Sequence, residues 1–237
     1  MKALVIAHDH LSSPGLLTTG LTDAGFELII RLVVPAERFH TPDVASDLPD
    51  LAGFDLIVAL GAPWSVYDVD QIGSWVLDEL EYLRAADTAG IPVLGVCFGG
   101  QMLATVHGGS VAKSAWPEIG WYDVAGDGSG TVEDAPWCQW HSDAWTVPPG
   151  AQEIARNDNA SQAFRLRRNL AVQFHPELNS SILAGWLANG GDSSARAHGI
   201  DPDELIARTA AEEDEAGERA TRLVRRFLDD VAFSAVS

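Results

Sequence analysis

One cysteine stands in a sequence context that suits nucleophilic chemistry. Cys97 follows the apolar run Pro92–Val96 and lies between Gly95 and Gly99 in the pattern Gly-Val-Cys-Phe-Gly. This frame is typical of a nucleophile elbow, a sharp strand-to-helix turn whose close backbones leave no room for neighbouring side chains. The N-terminus of the following helix carries a partial positive charge, which favours the thiolate. The frame therefore predicts that Cys97 is a nucleophile and that the backbone amide of Phe98 faces a developing oxyanion.

A nucleophilic thiolate needs a proton carrier, and seven histidines compete for that role. His175 is favoured because it ends the largely apolar run Leu170–Phe174, at the strand edge where open α/β sheets hold their sites. Pro176 stiffens the turn that follows, so Glu177 can fold back, hydrogen-bond the imidazole and fix its tautomer. The residue types predict a Cys-His-Glu triad. Cys138 lacks any elbow context and is expected to be a packing residue.

Short apolar runs alternate with helical stretches in the first half of the chain. Such runs, covered by helices on both sides, indicate an open, mostly parallel, doubly wound α/β sheet. The predicted strands are Leu4–Ala7, Leu28–Val34, Leu56–Leu60 and Pro92–Val96, and the predicted helices are Leu16–Ala24 and Ile72–Ala89.

The pattern changes between Val111 and Phe174, where no convincing helix occurs. Short strand-like pieces broken by Gly, Pro, Asn and Asp predict antiparallel β hairpins added to the parallel core: Ile119–Val124, Ala163–Leu166 and Leu170–Phe174. Helical patterns return at Ser180–Ala188 and twice more in an acidic C-terminal stretch. The last helix has one apolar face and should dock by it, through Ala220, Leu223, Val224, Phe227, Leu228 and Val231. We expect a domain over residues 1–189 and, after a linker at Gly190–Ser194, an acidic helical C-terminal extension over residues 190–237 that packs on it.

Two motifs together resemble the class I (triad-type) glutamine amidotransferase family. They are Gly-Val-Cys-Phe-Gly-Gly-Gln at residues 95–101 and Gln-Phe-His-Pro-Glu at residues 173–177. The stretch at residues 60–66 is similar to the family's Gly-Gly-Pro oxyanion loop, and the Pro-Glu-Ile-Gly-Trp stretch at residues 117–121 resembles the branch of GMP-synthase glutaminase domains. The resemblance implies a flavodoxin-like sheet of the class I glutaminase type.

The resemblance also implies a role for each matching residue. Cys97 would attack the side-chain amide of glutamine and form a γ-glutamyl thioester, and His175, oriented by Glu177, would protonate departing ammonia and then activate water. The oxyanion would rest on backbone amides of Gly61 or Ala62 and Phe98, although Ala62 replaces the family's second glycine and narrows the allowed dihedral angles. Substrate contacts would come from Gln101 and from the Trp140–Asp143 stretch, that is, from His141, Ser142 and Asp143. The resemblance implies no metal and no cofactor.

The fate of the ammonia is left open by the sequence. Neither a Ser-Gly-Gly-x-Asp pyrophosphate loop nor a Gly-x-x-x-x-Gly-Lys-Ser/Thr loop occurs, and residues 190–237 are too few for a nucleotide-activating domain. The chain is therefore expected to be a detached glutaminase that serves a separate ATP-dependent synthetase subunit, or a self-sufficient hydrolase of γ-glutamyl amines or peptides. A catalytically silent binding or regulatory homologue is the third alternative.

Composition excludes other classes of function. The 237 residues carry a formal net charge of −19, which disfavours nucleic acid and anionic membrane surfaces as partners. Residues 41–90 contain ten Asp or Glu and one Arg, which form either a solvated face or a docking surface for a basic partner. Two cysteines exclude a disulfide framework, and the short apolar N-terminal run predicts a buried strand rather than a signal peptide. We expect a cytoplasmic protein.

Overall fold

One twisted sheet of nine strands runs through the part of the chain that the computed structural model describes, residues 1–233. The strands are β1 Lys2–Asp9, β2 Glu27–Val34, β3 Leu56–Ala59, β4 Val93–Val96, β5 Val111–Gly126, β6 Ala135–Trp145, β7 Gln152–Arg156, β8 Ser161–Leu166 and β9 Asn169–Val172, and their order across the sheet is β2-β1-β3-β4-β9-β8-β7-β5-β6. The α-helices are α1 Leu17–Asp23, α2 Val69–Ala89, α3 Phe98–Val106, α4 Ser180–Trp186, α5 Asp192–Ala197 and α6 Pro202–Arg226. No helix within residues 1–233 is long and apolar enough to cross a membrane.

The parallel half of the sheet consists of β2, β1, β3, β4 and β9. Its central strands are buried on both faces, so successive side chains enter two different cores. Val5 packs in the core with Leu21 of α1, whereas Ile6 packs in the opposite core with Val76 of α2 and Met102 of α3. The predicted doubly wound α/β fold is confirmed, and the apolar N-terminal run forms β1 at the centre of the sheet.

The antiparallel half of the sheet contains two strands, β6 and β7, that the apolar pattern does not predict. β5 and β6 form a long hairpin, whose register shifts between Lys113 and Glu118. Within β6, the sequence predicts only substrate contacts from the Trp140–Asp143 stretch, and polar side chains interrupt the apolar alternation that would indicate a strand. Gln139 is buried and donates a hydrogen bond to Gln162 on β8, and Nε2 of the buried His141 lies 3.2 Å from Glu118 on β5, so a strand with polar residues still lies inside the protein.

Helix ends follow local sequence signals. Gly90 ends α2 in the left-handed conformation, with φ of 73°. At the start of α6, the side chain of Asp201 accepts a hydrogen bond from the amide of Asp203, and Pro202 occupies the first turn. The predicted linker at Gly190–Ser194 is helical instead: Leu187–Gly191 forms a kinked turn between α4 and α5, with Gly190 at φ of 102°.

The C-terminal helices pack on the α/β core. The predicted docking face of the last helix is buried along its whole length, at Ala220, Leu223, Val224, Phe227, Leu228 and Val231. Leu223 belongs to the same apolar cluster as Val5 of β1 and Leu21 of α1. The boundary near residue 190 stays a prediction, but the two sides of that boundary share one core.

The shared core leads to a test of stability. Replacing Leu223, which is 2% exposed, by alanine should lower the free energy of unfolding by about 2–5 kcal/mol. The substitution leaves a cavity in the core that neighbouring side chains fill only in part. The matched control is Ile206→Ala on the same helix, where the side chain is 43% exposed and the loss should stay near ~0.5 kcal/mol. Urea unfolding followed by circular dichroism measures both. Equal losses for the two variants would contradict the shared core.

Candidate active site

Cys97 occupies a strained turn between β4 and α3. Its φ of 50° and ψ of −105° lie in a region that residues with a Cβ rarely adopt, as expected of a nucleophile elbow. The turn is tight enough that a Cβ on Gly99 would lie 2.1 Å from the carbonyl oxygen of Ala59. The glycine predicted from the sequence frame is therefore required by the close approach of α3 to β3.

His175 and Glu177 lie beside Cys97 and are nearly fully buried. Nδ1 of His175 is 2.7 Å from Oε1 of Glu177, and the imidazole packs edge-on against Trp186 with ring centroids 4.9 Å apart. Nε2 of His175 has no hydrogen-bond partner among the described residues. Burial lowers the pKa of His175, but attraction to Glu177 and to Cys97 outweighs burial and holds this pKa well above its usual value. The structure thus brings the three residues of the predicted triad together, with an imidazole that favours its protonated form.

The predicted oxyanion loop passes over the histidine. A Cβ on Gly61 would lie 2.9 Å from Cε1 of His175 and 3.8 Å from Cβ of Cys97, so only glycine fits there. Ala62 needs no left-handed backbone, because the non-glycine residues with positive φ in the described chain are Cys97 and Arg167. The narrower range of dihedral angles that alanine allows is therefore sufficient at this position. The side chain of Phe98 is buried in the core, with its ring centroid 4.9 Å from that of His8. The backbone amide of Phe98 is therefore the only group of this residue that is predicted to serve the site.

Two glutamine side chains connect Cys97 to β6. Nε2 of Gln101 lies 3.3 Å from Oε1 of Gln173 and 3.5 Å from the carbonyl oxygen of Asp143. Nε2 of Gln173 in turn lies 3.6 Å from Sγ of Cys97. Gln173 begins the Gln-Phe-His-Pro-Glu motif, and the sequence predicts no role for it. Its position two residues before His175, in the predicted strand Leu170–Phe174, was the available signal, since alternate residues of a strand share one side of the chain.

The side chains of His141 and Asp143 are held by the protein itself. Nδ1 of His141 is 2.9 Å from the carbonyl oxygen of Asp143, and Nε2 is 3.2 Å from Glu118. Burial raises the pKa of Glu118, but hydrogen bonds from His141 and two asparagines outweigh burial and lower this pKa overall. Because both side chains are engaged in these contacts, the backbone of residues 141–143, including Ser142, is the part of this segment that is available to the predicted substrate.

The carboxylate of Asp143 anchors the far end of the oxyanion loop. It accepts a hydrogen bond from the hydroxyl of Ser65 and another from that of Tyr67, the latter at 2.9 Å. Nζ of Lys113 lies 3.4 Å from the same carboxylate. Both partner hydroxyls belong to the loop that begins at Gly61, so Asp143 ties this loop to β6.

A cavity of about 450 Å³ opens over the triad. The predicted residues on its wall are Gly61, Ala62, Cys97, Gln101, His141, Ser142, Asp143, His175 and Glu177. The remaining wall includes Asp9, Ser12, Phe39, Trp64, Trp140 and Trp186, none of which has an individual role predicted from the sequence. Abundant tryptophan was the only signal for this aromatic wall. Within residues 1–233, no group of three or more His, Cys, Asp or Glu side chains is arranged to hold a metal ion.

Comparison with known sequences identifies relatives of this chain. The family described as "Glutamine amidotransferase class-I" matches residues 22–189. A glutamine-hydrolysing GMP synthase of Thermomicrobium roseum is 35% identical over 150 residues, which cover 55% of this chain and 26% of that protein. Another, from Aeropyrum pernix, is 30% identical over 203 residues, which cover 75% of this chain and 36% of that protein. The match thus spans about a quarter to a third of the length of these curated relatives.

Solved structures share the whole fold. A glutamine amidotransferase from Thermotoga maritima superimposes with a TM-score of 0.83 at 24% identity, covering 97% of this chain and 99% of that chain. A glutamine amidotransferase from Methylobacillus flagellatus gives a TM-score of 0.81 at 20% identity, covering 100% of this chain and 98% of that chain. Both overlaps extend over the C-terminal helices, so these helices belong to a recurring architecture.

The charge coupling of His175 leads to a test by titration. Glu177→Gln removes the negative charge that favours the imidazolium, so the pKa of His175 should fall and the ring should lose its proton at lower pH. Titration of ¹⁵N-labelled histidine by NMR measures this shift. Glu27→Gln, at an exposed position on β2, is the control and should leave the His175 titration unchanged. An unchanged or raised pKa in Glu177→Gln would contradict the coupling.

Proposed function

The chain belongs to the class I glutamine amidotransferase family, and we propose that it hydrolyses the side-chain amide of glutamine through Cys97, His175 and Glu177. The observation that carries the proposal is the buried His175–Glu177 pair beside a cysteine held at positive φ. A strained nucleophile, a charge-coupled proton carrier and its orienting carboxylate are the three parts that acyl transfer by a thiol requires.

In the proposed first half-reaction, the thiolate of Cys97 attacks the amide carbon of glutamine. A carbon–sulfur bond forms, and the carbonyl electron pair moves to oxygen, where backbone amides at Gly61 or Ala62 and Phe98 stabilise it. His175 gives its proton to the nitrogen as the carbon–nitrogen bond breaks, and ammonia leaves. The raised pKa of His175 supports this step, because the ring holds the proton that the leaving group needs.

In the proposed second half-reaction, a water molecule resolves the thioester. Neutral His175 takes a proton from water as its oxygen attacks the γ-carbon, and the carbon–sulfur bond then breaks. Glutamate leaves, Cys97 returns to the thiolate and His175 to the imidazolium. Glu177 keeps the ring oriented throughout, through the 2.7 Å contact at Nδ1.

We assign substrate positioning to Gln101 and to the backbone of His141, Ser142 and Asp143. The side chains of His141 and Asp143 are already hydrogen-bonded within the protein, so they support this backbone rather than contact substrate. Gln173 joins the predicted set, because its amide reaches both Gln101 and the sulfur of Cys97.

A larger γ-glutamyl compound is the second candidate substrate. The cavity of about 450 Å³ is in the range that holds drug-sized ligands, and aromatic rings at Phe39, Trp64, Trp140 and Trp186 line part of it. These aromatic rings could pack against the leaving group of a γ-glutamyl amine or peptide, whereas ammonia has no apolar surface for them to contact. The same triad chemistry would release an amine in place of ammonia.

A separate ATP-dependent synthetase is the proposed partner if the chain works as a detached glutaminase. The curated relatives are named glutamine-hydrolysing GMP synthases, and this chain matches only part of their length. Most acidic residues of the 41–90 stretch are exposed, although Glu79 is buried, so a basic partner surface would find charge complementarity. A cytoplasmic location, where thiols stay reduced, remains a prediction.

Cys97→Ser should abolish glutamate release from glutamine, because serine lacks the thiolate. Cys138→Ala is the matched control and should stay active, since burial raises the pKa of the Cys138 thiol and the residue has no elbow geometry. Coupled glutamate detection measures turnover. Cleavage of γ-glutamyl dipeptides without glutaminase activity would select the second substrate class. If both activities are absent and a thiol-directed glutamine analogue does not label Cys97, the chain is a catalytically silent homologue.

Affinity capture from the native organism should recover an ATP-dependent ligase if the chain serves a synthetase. Because the proposed contact is between an acidic and a basic surface, its affinity should fall as salt rises from roughly 0.05 to 0.5 M, where the Debye length shortens. Titration calorimetry with the recovered ligase measures the dependence. Salt-independent affinity would contradict an electrostatic docking surface.

A further inference from the structure

His8 and Glu79 form a buried pair that the proposed mechanism does not use. His8, near the end of β1, is fully buried, and Glu79 of α2 is 1% exposed. Nε2 of His8 lies 3.0 Å from Oε1 of Glu79, and the ring packs against Trp75 and Phe98 at centroid distances of 5.6 and 4.9 Å. This pair lies directly behind the oxyanion loop, because Nδ1 of His8 is 3.2 Å from the carbonyl oxygen of Gly61.

Both nitrogens of His8 face acceptors. A carbonyl oxygen can only accept a hydrogen bond, so Nδ1 carries a proton, and Nε2 carries a second proton when it donates to the carboxylate of Glu79. This geometry corresponds to an imidazolium between Glu79 and Gly61. Burial lowers the pKa of His8, but attraction to Glu79, hydrogen bonds to Glu79 and Gly61, and the charge of Asp9 outweigh burial and raise this pKa overall.

The hydrogen bond from His8 determines the orientation of the Gly61–Ala62 peptide plane. The carbonyl oxygen of Gly61 accepts from His8 and also from the hydroxyl of Ser12, at 3.2 Å each. The described chain has no cis peptide bonds, so the N–H of Ala62 points away from these two donors. A flipped peptide would instead expose the carbonyl oxygen on that side and present negative charge where a donor is needed.

We propose that His8, held as an imidazolium by Glu79, is a positioning residue that fixes the Gly61–Ala62 peptide so that the Ala62 N–H serves as the oxyanion donor. The positive charge on the carbonyl side also polarises the peptide and strengthens its N–H as a donor. The inference rests on the proposed function, because an oxyanion forms only when Cys97 attacks an acyl carbon. The oxyanion donor is then the backbone N–H of Ala62 rather than that of Gly61.

Matched variants separate the two contacts of the ring. In His8→Asn the side-chain amide lies where Nδ1 was and can still donate to Gly61, whereas in His8→Gln it reaches Glu79 but not Gly61. Glu79→Gln keeps the shape of the pair and removes the charge that holds the second proton. Glu81→Gln, an exposed acid on the same helix, is the control.

We expect His8→Gln to lower kcat by about 10- to 100-fold with little change in KM, part of the roughly 10²- to 10³-fold loss seen when an oxyanion donor is removed. His8→Asn should recover part of that loss, Glu79→Gln should lower kcat, and Glu81→Gln should match wild type. Alkylation of Cys97 by iodoacetamide should proceed at the wild-type rate in all variants, since this substitution forms no oxyanion. NMR of ¹⁵N-labelled histidine should show His8 protonated on both nitrogens at pH 7 in the wild type.

Wild-type kcat in both His8→Gln and Glu79→Gln would overturn the proposal while leaving the glutaminase assignment intact. A parallel fall in Cys97 alkylation would also overturn it, because the defect would then be a general disturbance of the site. A neutral His8 at pH 7 would contradict the imidazolium. Absence of turnover by the wild-type chain on glutamine and on γ-glutamyl amides is the distinct result that defeats the proposed function itself.

Discussion

Close approach of backbone segments at the carboxyl edge of the parallel sheet is the constraint on which the site depends. α3 begins so near β3 that a Cβ at Gly99 would lie 2.1 Å from a carbonyl oxygen, and the oxyanion loop passes so near His175 that a Cβ at Gly61 would lie 2.9 Å from the ring. These contacts bring Cys97, His175 and the loop within reach of one another and hold Cys97 at positive φ. Strain of this kind persists only where surrounding packing over-determines the backbone, and strands buried on both faces provide that packing.

Buried imidazole–carboxylate pairs then fix the polar parts of the site. In the described chain the pairs around the cavity are His8–Glu79, His141–Glu118 and His175–Glu177, with separations of 3.0, 3.2 and 2.7 Å. Burying a charge without a partner is costly. Each of these imidazoles and carboxylates has a partner, so the pairs favour one arrangement of the segments that they join. They link β1 to α2, β6 to β5, and the two ends of the turn after β9. Only the last pair lies beside Cys97, and the other two support the loop and the strand that surround it.

The sequence was sufficient to predict the parallel core and the proposed triad, because both depend on local patterns. Buried strands are continuous apolar runs, and an elbow needs glycines beside its nucleophile, so Cys97 and His175 could be found without coordinates. The rest depends on partners that are distant in sequence. β6 was missed as a strand because its polar residues are satisfied by β5 and β8, and Glu79 was counted with surface acids because nothing local pairs it with His8, 71 residues away. The kinked turn at Leu187–Gly191 was read as a linker because Asn-Gly-Gly is also a common loop sequence.

The two supports of the oxyanion loop bear on whether the chain depends on a partner. His8 and Ser12 hold the carbonyl of Gly61 at one end of the loop, while Asp143 holds the hydroxyls of Ser65 and Tyr67 at the other. All these groups belong to this chain, so both ends of the loop are held by hydrogen bonds within the chain itself. Pre-organised donors stabilise an oxyanion because they do not reorganise during the reaction. In the proposed mechanism this arrangement completes the hydrolytic site within one chain, so the proposed synthetase would take up ammonia rather than assemble the site.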